Sequence, residues 1–415
     1  MKLFKTSLLA LALASVSWIA NADSLAITNA TVYGAGEQGI LTQATVVVDE
    51  GKIIAINPET VSADSTLDAQ GKILTPGFIG SMNKLGLVEV GAVAKSRDAG
   101  EKKADMTFDP SMAFNPRSAA IAYARKGGIT SNLVVPSGGD AIFKGQAFVA
   151  NLSGEFGSVD YTQHALYVEL GAKSKGSRAF DFQKLANKLE DAQKAMAKAN
   201  KANGKKKDAD KKEPKRADKV INQVLKGEKV LLVDADRATD LLALIDLKKR
   251  FQLDLVIVGA ADATLVAKEL ADAEVPVIID AMRNLPGSFD SLHTSLESAA
   301  KLAAAGVKII FSATSAHNLY QLRYDAGNAV ANGLSKEQAL AAVTTNVADA
   351  FHLATGSIEV GKRADLVLWS ADPFELSSKV EKLWIGGQQY GTDSRHDELR
   401  KRYTTASDMP RAYIK

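Results

Sequence analysis

The chain contains no cysteine, so its chemistry must come from carboxylates, lysines, hydroxyls and five histidines. The lack of thiols excludes thiolate metal sites and cysteine nucleophiles, and it leaves stability to packing alone. A short apolar run, LTPGFIGSMNKLG at 74–86, ends on Met82, Asn83 and Lys84. A thioether is a poor ligand for a divalent zinc-type ion, and a protonated ammonium repels one. A lysine can instead pair with a carboxylate or, with its pKa lowered, act as a base or form a Schiff base. A carboxylate, Asp280, directly follows the apolar run Val275–Ile279.

Two rhythms must position these residues. Residues 24–74 read as short strands with turns, including a hairpin signal at Asp49-Glu50-Gly51. Ala26, Thr28, Ala30 and Val32 fall on one face of the first strand. From Pro76 the text alternates short β-branched strands with helical windows. Gly127–Pro136, Ala165–Leu170, Val230–Val233, Leu255–Val258, Val275–Ile279 and Val307–Phe311 are strands. Such units argue for an α/β chain built as a (β/α)8 TIM-type barrel. Ser335 and Gln338 form a capping box ahead of the last barrel helix. Strands then return at Ser357–Val360, Ala364–Trp369 and Val380–Ile385. The simplest construction is a small β-sandwich from both chain ends, 23–74 and 355–391, around a barrel at 75–354, with a charged tail at 392–415.

Two segments stand apart. Lys2 and Lys5, the apolar run Leu8–Ala14 and the small-residue site Ala20-Asn21-Ala22 make residues 1–22 a signal peptide. The expected location is a bacterial periplasm. Without Lys2 and Lys5, 49 basic residues face 48 acidic ones, so bulk charge gives no support to a nucleic-acid partner. No later stretch reads as a membrane span. Residues 184–219 are rich in Lys, Ala, Asn and Asp and read as a solvated, partly helical excursion, with the exposed insertion at about 194–219.

Three segments resemble the imidazolonepropionase-like branch of the amidohydrolase superfamily: LTPGFIG at 74–80, Ser315–Ala329 with Leu340–Leu353, and GSIEVGKRADLVLWSADPFELSSKVEKLWIGG at 356–387. The resemblance implies a barrel whose mouth, at the C-terminal strand ends, holds zinc on histidines and an aspartate. Carried onto this chain, the His-x-His pair after strand one is Met82 and Lys84, and Gly80 replaces an aspartate. The strand-five histidine is Asp234, the strand-six histidine falls near Gly259, the strand-eight aspartate is Thr314, and Glu169 matches strand four. His164, His293, His352 and His396 match no ligand position. His317, in the loop after strand eight, and its neighbour Asn318 are ligand-binding candidates, with Thr314, Met82 and Asp280. No cofactor is expected where the family uses zinc.

Strands one and five face each other across such a barrel, so the expectation is an ion pair between Lys84 and Asp234. A nearby carboxylate raises a lysine's pKa, which disfavours Schiff-base chemistry. Three functions stay open. One is a metal-free relative acting as a pseudoenzyme, a small-molecule binder, or a partner in a homodimer or beside a catalytically intact homologue. Another is an active hydrolase of carbon–nitrogen bonds in cyclic amides, amidines or dipeptide-like substrates, with Lys84, Asp234 and Glu169 as catalytic groups. The third is a surface role for the Lys-rich segment.

Overall fold

Strand alternation and its interruptions set the architecture. The computed structural model describes residues 24–34, 36, 39–139, 141–171, 177–203 and 214–405. The expected signal peptide at 1–22, the centre of the Lys-rich segment and the end of the tail lie outside the described residues.

The N-terminal strands are β1 (Leu25–Val32), β2 (Leu41–Asp49), β3 (Lys52–Ile56), β4 (Ser65–Asp68) and β5 (Ile73–Pro76). The barrel strands are β6 (Phe78–Asn83), β7 (Ile129–Val134), β8 (Phe143–Asn151), β9 (Val159–Glu169), β10 (Val230–Ala235), β11 (Leu255–Gly259), β12 (Val277–Ile279) and β13 (Ile309–Phe311). The chain returns through β14 (Leu366–Trp369), β15 (Val380–Ile385) and β16 (Gln388–Tyr390).

Both chain ends join in one continuous eight-stranded sheet, ordered β16-β15-β14-β5-β1-β2-β3 with β4 on β1. Its core gathers Ile27, Val32, Val46, Leu74, Leu366 and Trp384. Asn29 takes a left-handed φ of 52°, and the β1–β2 register shifts between Ile27 and Ala30. This bulge moves Ile27 into the core where strict alternation places Thr28.

The barrel is ordered β13-β12-β11-β10-β9-β8-β7-β6. Its seam closes through Ala313 N–H donating to Ser81 O at 3.0 Å and Ser81 Oγ donating to Phe311 O at 3.2 Å. The strict β-then-α repeat breaks at its third strand: β8 runs antiparallel to both β7 and β9. Sequence reading misses β8, because seven consecutive positions of FKGQAFVAN are buried and no period-two pattern survives.

Inside the barrel, Ile79, Leu133, Val149, Leu232, Val256 and Ile310 form one apolar column, floored by Val347 and Phe351. The opposite faces, such as Leu231, Val233 and Ile257, pack outward on the helices. Those include 238–251, which ends on Gln252 at a left-handed φ of 54°, and 336–342, which starts with the expected Ser335–Gln338 capping box.

The Lys-rich segment corrects its expectation in part. Helix Arg178–Asn203 and helix Arg216–Leu225 bury Leu185, Leu189, Val220, Ile221 and Val224 in the main core. Residues 184–192 and 217–224 are therefore structural; apolar side chains spaced three to four apart inside a charged text carry that face.

The GKRAD turn couples the two units. Asp365 accepts from Arg363 Nε at 2.9 Å, Thr355 Oγ1 at 2.9 Å and Gly386 N–H at 2.8 Å. Arg363 also reaches Ser131 Oγ of β7 at 2.7 Å and pairs with Asp160 of β9. Burial works against the Arg363 charge; Asp365 and Asp160 more than restore it.

Candidate active site at the barrel mouth

Period-two alternation carries the interior column upward to chemistry. On β9 the inward series is Ala165, Tyr167, then Glu169; on β10 it is Val230, Leu232, then Asp234. Ile278 leads to Asp280, and Ile310 to Ser312 and Thr314. At the end of β6, Met82 adopts a left-handed φ of 61°. Asn83 turns aside and forms a reciprocal amide pair with Asn132, at 2.8 and 2.9 Å. Met82 and Lys84 are thereby left facing the mouth.

These residues line a cavity of about 320 Å³ at the C-terminal strand ends. Met82, Lys84, Glu169, Asp234, Gly259, Asp280 and Thr314, all expected at the mouth, come together there. His317 and Asn318 do not line it: they sit exposed on the outer turn Ala316–Gln321. Tyr167, Ser312 and Arg283 join the wall although sequence reading singled out none of them. Tyr167 was legible, two residues before Glu169 on the same strand face. Arg283 lies in an irregular loop with no such signal.

The expected Lys84–Asp234 ion pair is absent. Lys84 is exposed and forms no ion pair among the described residues. Asp234, only 2 % exposed, instead accepts from the Tyr167 hydroxyl at 3.3 Å. The same hydroxyl lies 3.3 Å from Glu169 Oε1. Burial, then the Asp234 and Glu169 charges, push the Tyr167 phenol well above its ordinary pKa, so it stays protonated. The ion pair that does form is Lys144 Nζ to Glu169 Oε2 at 3.1 Å. Lys144 comes from the start of β8, whose antiparallel course brings its first residues to the mouth.

Loop 280–297 forms the rim beside Asp280 and is tied down by buried charges. Asp290 accepts from Arg178 at 2.7 Å and Arg237 at 2.5 Å, and Arg178 also pairs with Asp240.

A tetrahedral zinc needs about four nitrogen, sulfur or carboxylate donors. The mouth residues do not fit one. Residues 258–261 are Val, Gly, Ala and Ala, so a one-residue change of register on strand six still supplies no ligand. Gly259 has φ 85°, and a Cβ there would lie 2.7 Å from Asp236 Oδ1. A Cβ on Gly80 would lie 2.4 Å from Asn132 Oδ1, so no side chain fits there either. Among the described residues no three His, Cys, Asp or Glu side chains form a group able to hold a metal. The histidines are elsewhere: His293 bonds Asp262 at 2.7 Å, His352 bonds Asp254 at 2.6 Å, His164 contacts Phe351 O at 2.5 Å, and His396 edges the Tyr123 ring. No described helix is long and apolar enough to cross a membrane.

The Amidohydrolase family profile matches residues 187–390. No curated protein matches the chain. Among solved structures, an amidohydrolase from Thermotoga maritima MSB8 is similar at 27% identity, covering 88% of this chain and 99% of that one, with a TM-score of 0.78. A putative prolidase from Bifidobacterium longum shares the fold at 16% identity, with coverage of 92% and 100% and a TM-score of 0.53. So does an adenosine deaminase from Xanthomonas campestris with bound zinc, at 17% identity, coverage of 88% and 92%, and a TM-score of 0.51. With the barrel, the composite sheet and the three sequence segments, the profile match and the Thermotoga maritima structure agree on one likeness: the chain is similar to the amidohydrolase superfamily.

Proposed function

We propose that this chain is an exported amidohydrolase-superfamily protein that works without a catalytic metal, as a small-molecule binding protein or partner subunit. The observation that carries the reading is the set of side chains at the five family ligand positions: Met82, Lys84, Asp234, Gly259 and Thr314. An ammonium, a thioether, a hydroxyl and a missing side chain stand where the family needs donors. The retained cavity and its tied-down rim support binding. Export rests on the Lys2/Lys5, Leu8–Ala14 and Ala20–Ala22 pattern. A ligand at a hundred times its Kd stabilises a fold by about 2.7 kcal/mol. Zinc titrated into the mature protein is therefore expected to leave Tm unchanged, and a saturable upward shift would defeat the reading.

A second reading has its own support in the Tyr167 hydroxyl between Glu169 and Asp234. This trio can hold and pass a proton, and the superfamily's carbon–nitrogen hydrolysis needs such a group. Here Asp234 would serve as base toward water, with Lys84 facing the developing oxyanion. Turnover of a hydantoin or dipeptide that disappears in Asp234→Asn and survives chelation would favour it. The same turnover in Asp234→Asn would remove it.

A further inference from the structure

The charges at the mouth are partnered unevenly. Three carboxylates line it, and each has a partner: Glu169 the Lys144 ammonium, Asp234 the Tyr167 hydroxyl, and Asp280 the Met282 N–H at 2.9 Å. Among the described residues two cations line it and neither has an ion pair: Lys84, exposed after β6, and Arg283, half-buried in the loop after β12. Strands β6, β13 and β12 are consecutive around the closed sheet, so Lys84, Thr314, Ser312 and Arg283 belong to one side of the mouth. Glu169 and Asp234, on β9 and β10, belong to the opposite side.

A half-buried guanidinium has lost part of its hydration, and its planar fork suits an oxyanion. The Arg283 backbone N–H donates to Asp280 O at 3.2 Å, and its loop is anchored further along at Asp290. Met82, Val135, Val258 and Ile278 give the same cavity an apolar wall. A volume of about 320 Å³ accommodates a small molecule rather than a chain.

We propose that the mouth binds a small carboxylate-bearing molecule with an apolar body, its carboxylate held by Arg283 and Lys84 and its body against Met82, Val258 and Ile278. The anion then occupies the side of the barrel where the strand-one metal ligands of the superfamily would stand. This deepens the metal-free binding reading and rests on it, since a cation bound between Met82 and Lys84 would compete for that space.

The test is calorimetric titration of the mature protein, in chelator, with N-acetyl-L-leucine and with N-acetyl-L-leucinamide, which keeps the body and removes the charge. Charge-assisted hydrogen bonds predict that the acid binds about 10- to 100-fold more tightly than the amide. Arg283→Met and Lys84→Met, each checked for an unchanged Tm, should bring the acid toward the amide's affinity and leave the amide's affinity alone. Equal binding of acid and amide, no binding of the acid at millimolar concentration, or an unaffected acid in both variants would overturn the proposal. Metal content, measured on the same samples before chelation, reports separately on the metal-free reading. Bound zinc defeats that reading, whereas a zinc-free protein indifferent to the carboxylate defeats this inference alone.

Discussion

Glu169 and Asp234 are register partners on adjacent parallel strands, and a single phenol, that of Tyr167, lies 3.3 Å from a carboxylate oxygen of each. Two carboxylates placed side by side in a mostly buried setting repel unless counter-charges are supplied. Lys144 supplies one from β8, and the protonated phenol adds a donor. This side of the mouth is thus a satisfied polar cluster, and the cations without an ion pair among the described residues, Lys84 and Arg283, lie on the opposite side.

Lys144 should matter for stability. It is 8 % exposed, and its loss leaves Glu169 without its counter-ion. Removing one partner of a buried pair typically costs about 3–5 kcal/mol. Because Glu169 is partly open to solvent, Lys144→Met should lie near or below the low end of that range in urea unfolding. Adding Glu169→Leu should recover part of the loss. A Lys144→Met protein as stable as the parent would show that the pair contributes nothing.

Lys84 should matter little for stability. Its exposed ammonium has no partner among the described residues, and such surface changes usually fall within about 0.5 kcal/mol. Thermal unfolding of Lys84→Met and of Lys84→Met/Asp234→Asn provides the check. A large loss in the single variant restored in the double would reinstate the Lys84–Asp234 pair.

Asp365 should be the most sensitive position at the junction of sheet and barrel. It is 2 % exposed and serves Arg363, Thr355 and the Gly386 N–H together. Asp365→Ala removes one of the two carboxylates on the half-buried Arg363 guanidinium and the acceptor of Thr355 and Gly386, and a loss toward the low end of about 3–5 kcal/mol is expected. Asp365→Asn, which keeps acceptor geometry, should cost less. Denaturant midpoints for the two variants decide it.

Asp325 gives the fold a pH dependence. Burial, assisted by the Asp280 charge, raises its carboxyl to about 6. An unfolded aspartate titrates near 3.9, so the folded state holds this proton longer. The contribution is therefore neutral below about pH 4, becomes increasingly unfavourable as pH rises from about 4 to about 6, and keeps its full penalty above that. Asp325→Asn should stabilise the protein by about 1–2 kcal/mol at pH 7.5, allowing for partial exposure, and have little effect at pH 4. Equal effects at both pH values would contradict the assignment.

Most of the barrel and much of its mouth were legible because β10 to β13 and the second half of β9 keep one face inward. That alternation delivers Glu169, Asp234, Asp280 and Thr314 to the cavity, where the family resemblance places the first two and Thr314 and the strand end places Asp280. The hidden parts have physical causes. β8 is buried on both faces, which erased its period and concealed Lys144. The bulge at Asn29 displaced Thr28 from the core. Arg283 sits in an irregular turn, its N–H bonded to Asp280 O at 3.2 Å, with no periodic signal in the sequence. The Lys84–Asp234 pair does not form: Asp234 accepts from Tyr167, on Glu169's own strand, and Lys84 stays exposed at the rim.

The central claim is that the mouth works without a metal. The direct measurement is the metal content of the mature protein, purified without chelator from zinc-supplemented cells and analysed by inductively coupled plasma mass spectrometry. The side chains at the mouth predict a trace, far below one ion per chain. Stoichiometric zinc that is retained through dialysis would contradict the account.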